Sequence, residues 1–173
     1  MNYSEIDDPT WTITFRSVGL LESELAELKA WWSSLRGGLR SALVTQNVTC
    51  RPFAHSNPAN AAPAQDTGTL GGIANGNVLT INGVSAGLIL RAGDLLGLEQ
   101  GAFRGLHRVE TVAGAGTTRT VTVEPIPRSY VGVAGALVRF EMPELVMRPV
   151  PGSWSETEGP RAEATFSFVE SWK

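Results

Sequence analysis

Only one stretch of the chain, Leu21 to Leu35, carries apolar residues at helical spacing, and that restricts the fold more than any other feature. Leu21, Leu25, Leu28, Trp32 and Leu35 follow at intervals of four, three, four and three residues. This places them on one stripe of an α-helix, with Trp31 at its edge. Ser23, Ala26, Lys29, Ala30 and Ser33 fall on the other side. The spacing predicts one helix lying with an apolar face on a sheet. Gly37-Gly38 ends it where a left-handed residue satisfies the last carbonyls, and Arg36 suits the negative end of the dipole. Two adjacent tryptophans allow one ring to face the core while the other reaches a partner.

The segments at the two ends of the chain read as strands of one sheet. Trp11, Ile13 and Phe15 alternate with Thr12, Thr14 and Arg16, the pattern of a half-buried strand. Ala164, Phe166 and Phe168 alternate with Glu163, Thr165 and Ser167 in the same way near the C-terminus. Leu39–Thr49 returns the chain to this sheet, Leu145–Val150 adds to it, and Ser153–Arg161 reads as an exposed acidic loop. The expected domain is formed by residues 1–50 plus 144–173, with Trp11, Phe15, Leu28, Trp31, Trp32, Phe166 and Phe168 as its core or interface.

Between them, residues 51–72 carry three prolines, many small residues and no apolar period, which reads as an extended arm or linker. Residues 73–143 read as an inserted all-β module. Val78–Ile81 ends at the Asn82-Gly83 turn signal, Leu95–Leu98 follows Gly93-Asp94, and Leu106–Val112, Thr120–Glu124 and Ala136–Phe140 complete the set. Short strands separated by glycine turns point to a small antiparallel sandwich or barrel. The fold class expected is mainly β with one α-helix.

Composition narrows the function. The 173 residues are 42% hydrophobic and 18% charged, with net charge −3 and no basic run, which argues against nucleic acid or an anionic membrane as the main partner. The single Cys50 excludes an internal disulfide and a multi-cysteine metal site, as suits a reducing compartment. No apolar run reaches the roughly 20 residues needed to span a bilayer, and the acidic, polar start MNYSEIDDPT signals no secretion, so neither secretion nor membrane insertion is expected. The Asn47-Val48-Thr49 sequon carries little weight in that setting. An acid–base pair of Asp94 and His107 is conceivable, but no nucleophile or metal-ligand spacing accompanies it. His55 lies in the arm, and the glycine-rich pieces are not followed by Lys-Ser/Thr or a helix. The expectation is no catalytic, cofactor or metal site, and a chain that acts through protein contact.

Four runs carry a family likeness: Leu90-Arg91-Ala92-Gly93-Asp94-Leu95-Leu96, Gly105-Leu106-His107-Arg108-Val109, Val121 to Arg128, and Gly135 to Pro143. With the early Trp11 strand and the Leu35-Arg36-Gly37 helix ending, the chain resembles the distal tail or tail-tip (baseplate) proteins of long-tailed bacteriophages and gene transfer agents. The doubled Trp31-Trp32 and the 51–72 arm depart from that pattern. The resemblance implies a tail-tube-like β-sandwich plus helix from the two ends of the chain, forming a homohexameric ring at the tail tip of the virion, assembled in the bacterial host cytoplasm. It implies as partners further copies of the chain, the tail tube protein, the baseplate hub protein and the tape-measure protein. It also implies a lumen that DNA passes without specific binding, and a mildly acidic chain is compatible with that because like charges repel. A host-surface carbohydrate-binding β module is the alternative, though Phe103, Tyr130 and Phe140 are the only aromatics between residues 73 and 140.

Overall fold

The computed structural model describes residues 10–45, 50–157, 159 and 161–171. The sequon at Asn47, the acidic pair Asp7-Asp8, and Glu158 lie outside them. The chain divides into two compact units, Met1–Leu43 with Val146–Lys173, and Val44–Leu145. Both are built mainly of β-strands.

In the first unit, β1 (Thr12–Arg16) pairs antiparallel with β11 (Glu163–Glu170), in the register Ile13 to Phe168 and Phe15 to Phe166. The sheet runs β1, β11, β9 (Glu144–Pro149), β2 (Ala42–Thr45), with β10 (Ser155–Thr157) paired to the start of β11. The segment expected as an exposed acidic loop is thus partly a strand. Its alternation was hidden because Glu156 occupies a position at which an apolar residue would have signalled it.

Helix α1 spans Glu22–Ser34. The Glu24 carboxylate accepts the Leu21 N–H at 2.8 Å, and Glu22 and Glu24 sit where the helix dipole favours acid. Arg36, Gly37 and Gly38 all take positive φ and end it, so a non-glycine residue shares the left-handed turn. The stripe is less buried than its spacing predicts. Leu25, Leu28 and Trp32 are half-buried, Leu35 just beyond the helix is buried, and no residue within the helix is fully covered.

The second unit contains a closed six-stranded barrel in the order β3 (Thr67–Ala74), β4 (Val78–Asn82), β7 (Thr118–Glu124), β6 (Phe103–Ala113), β5 (Leu95–Gln100), β8 (Leu137–Arg139), with β8 returning to β3. Leu70, Leu79, Ile81, Leu98, Val121 and Val138 are among the residues filling it. Closure leaves no open edge.

The arm expected over residues 51–72 is corrected by two findings. Its last six residues belong to β3, where glycine replaces the apolar residues that announce a strand. A Cβ on Gly68 would lie 2.6 Å from Ile81 Cγ2, and one on Gly71 would lie 2.5 Å from Asn82 Nδ2. The rest is a packed strap of short helical turns, Phe53–His55 and Pro58–Asn60, and the four-residue helix α2 (Ala62–Gln65), with His55, Ala61 and Ala64 buried.

Candidate functional site

Five of the seven residues singled out by sequence, Phe15, Trp31, Trp32, Phe166 and Phe168, meet in an aromatic cluster on the first unit. Phe166 stands at its centre because β11 places it opposite Phe15, with the rings stacked at 5.6 Å. Helix α1 brings Trp32 to 5.2 Å and Trp31 to 6.0 Å from the same ring. Phe168, two residues along the same strand face, meets Phe15, Trp31 and Trp32 at 5.6–6.0 Å. Offset and edge-to-face pairs of this kind add about 0.5–1.5 kcal/mol each beyond burial. Leu28 is half-buried on the helix. Trp11 lies at the other end of β1, its N–H donating to Glu170 Oε2 at 3.2 Å and its carbonyl accepting the Glu170 N–H at 2.8 Å.

Trp154 belongs to the cluster although sequence reasoning passed over it. It stacks on Phe166 at 5.5 Å and 10°, and lies 5.6 Å from Trp32. Its indole N–H donates to Glu156 Oε2 at 3.1 Å, and Lys29 Nζ reaches Glu156 Oε1 at 2.7 Å. The Lys29 hydrogen bond, followed by that of Trp154, holds the Glu156 carboxyl below the usual carboxylate range. A tryptophan isolated among Ser, Gly and Pro was the signal available.

The cluster is incompletely covered. Trp31 is 42% exposed and Phe15 36%, and Val18, Leu21, Leu39 and Leu43 on the same unit are more open still.

Both histidines and Asp94 lie in the second unit, and each is held by structural hydrogen bonds. Asp94 is buried, with Oδ1 accepting the Phe53 N–H at 2.9 Å and Oδ2 the Arg91 N–H at 2.7 Å. His107 is buried with Nδ1 2.7 Å from the Pro125 carbonyl, while Nε2 has no hydrogen-bond partner. Burial pushes His107 down to about 4, against a smaller upward pull from Pro125. The conceivable Asp94–His107 pair is therefore corrected, since the hydrogen bonds of each go elsewhere. His55 is likewise fixed, its Nδ1 2.8 Å from the Asn60 carbonyl and its Nε2 accepting the Ile89 N–H at 2.9 Å. Arg119 is a buried cation held by the carbonyls of Gly116, Thr118, Ala86 and Leu88. Among the described residues no group of three His, Cys, Asp or Glu is placed to hold a metal ion. No described helix is long and apolar enough to cross a membrane.

No protein-family model matches the chain, and no curated protein matches it.

Proposed function

We propose that the chain is a structural subunit of a phage-like tail tip, forming a ring of six copies that joins the tail tube to the baseplate hub. In this reading the helix-backed sheet is the tail-tube-like, ring-forming body, and the barrel is an insertion carried on it. The likeness in Leu90–Leu96, Gly105–Val109, Val121–Arg128 and Gly135–Pro143 supports it, as does the commitment of each buried titratable side chain to structural hydrogen bonds.

The observation that carries it is the open edge of β1. The Ser17 N–H donates to the Ala164 carbonyl and the Glu170 N–H to the Trp11 carbonyl, so odd-numbered residues of β1 bond to β11. By alternation the backbone groups of Thr12, Thr14 and Arg16 face away, and no described strand covers them. The edge carries no proline or bulge to deter pairing, and its one charged side chain, Arg16, is engaged by Glu163 of β11. An edge of one copy set against a different surface of the next gives head-to-tail contacts, which close as a ring when the rotation from copy to copy closes and run on as a filament when it does not. Native mass spectrometry of the chain, alone and with tail-tube and hub proteins, tests this. A six-copy ring is expected; a monomer under all these conditions would refute it.

One observation favours the carbohydrate reading as an alternative. Phe103 is exposed and lies 5.2 Å from Tyr130 at 46°, on a hairpin fixed by Arg104 Nη1 donating to the Gly101 and Phe103 carbonyls. A glycan array with Phe103→Ala as control decides it. Signal lost in the variant supports the reading, and absence of signal removes it.

A further inference from the structure

The strap of the second unit presents a patch that the assembly reading leaves unused. Phe53 is 70% exposed, yet its backbone is pinned by the buried Asp94 carboxylate. Leu88 and Leu90 are buried while Ile89 and Arg91 are exposed, so these two side chains leave the barrel on one face. That extended segment is held in turn by His55 at the Ile89 N–H and Asp94 at the Arg91 N–H. The Arg91 guanidinium lies over the Phe53 ring at 5.9 Å. Arg91 takes part in none of the ion pairs among the described residues.

Two buried polar side chains thus hold an aromatic ring, an aliphatic side chain and an uncompensated cation in solvent. Groups preordered in this way lose little freedom on binding, so their contact area is converted to affinity efficiently. The complementary ligand is a peptide with carboxylates beside an apolar side chain. The chain itself carries such a run in Tyr3-Ser4-Glu5-Ile6-Asp7-Asp8.

We propose that Phe53, Ile89 and Arg91 form a docking patch for the acidic Tyr3–Asp8 segment of a second copy, a proposal that rests on the self-assembly reading. In chemistry the two match: Tyr3 and Ile6 offer apolar area to complement Phe53 and Ile89, and Asp7 and Asp8 offer negative charge to complement Arg91. The contact is specific because charge fixes its register while the apolar side chains supply area.

The test is titration of a fluorescent peptide of residues 2–9 into the full chain. Saturable binding is expected, weakened about tenfold or more by Arg91→Glu and by Phe53→Ala. Both side chains are exposed, so unchanged thermal melts will show the variants folded. A peptide carrying Asp7→Lys and Asp8→Lys is expected to bind Arg91→Glu better than the original peptide does. No binding at millimolar peptide, equal binding by a scrambled peptide, or affinity indifferent to both variants would overturn the proposal. Ring formation is read separately by mass: a ring without peptide binding removes only this patch, and peptide binding without a ring removes only the assembly reading.

Discussion

Phe15 and Phe166 face each other across the first and last strands of their unit, with rings stacked at 5.6 Å. Phe166 also meets Trp31, Trp32, Phe168 and Trp154, so this one side chain joins the helix, both terminal strands and the segment leading into β10. Phe166→Ala is expected to destabilise the first unit by about 3–5 kcal/mol. Phe15→Ala, at the partly exposed rim, should cost less. Urea unfolding followed by tryptophan fluorescence checks both.

The barrel should weaken in acid through His107. Its folded value is pushed down to about 4 from 6.5, so between those values the unfolded chain binds the proton and the folded chain does not. Stability from this group is therefore complete above about pH 6.5 and is lost as pH falls towards 4, by roughly 3 kcal/mol. Urea midpoints at pH 7.5, 5.5 and 4.5 should fall in that order, and His107→Gln should flatten the decline.

Two glycines of β3 should behave oppositely. Gly68→Ala places a methyl group against Ile81 and Val84 and is expected to cost about 1–3 kcal/mol. Gly72→Ala meets nothing within 4 Å and should be neutral or slightly stabilising. Thermal melts of the two variants give the comparison.

Asp94→Asn should loosen the strap. The amide keeps one acceptor but turns a donor towards the Phe53 or Arg91 N–H, and an unmet buried amide costs about 1–3 kcal/mol. Faster hydrogen exchange at Phe53 and Arg91 is the expected readout.

The legible parts of this sequence were those in which apolar residues mark a period. Leu25, Leu28 and Trp32 disclosed α1, and the alternations at Ile13–Phe15 and Phe166–Phe168 disclosed the strands that α1 covers. Thr120–Glu124 and Leu106–Val112 disclosed two barrel strands in the same way. What stayed hidden was held together by other means. β3 uses glycines where neighbouring chain approaches too closely for a Cβ. The strap is fixed by His55 and Asp94, whose partners are backbone amides and a carbonyl that no pattern of residue types reveals. Trp154 lacked any periodic neighbour.

Assembly is expected to run through the edge of β1 that no described strand covers, and Thr14→Pro tests this most directly. The Thr14 N–H faces away from β11, so proline there leaves the β1–β11 pairing intact while removing a donor from the edge. Native mass spectrometry of the 18.5 kDa chain should give a six-copy ring for the wild type and a folded monomer for Thr14→Pro. A ring undiminished by the substitution, or a wild-type chain that stays monomeric with its tail partners present, would contradict the account.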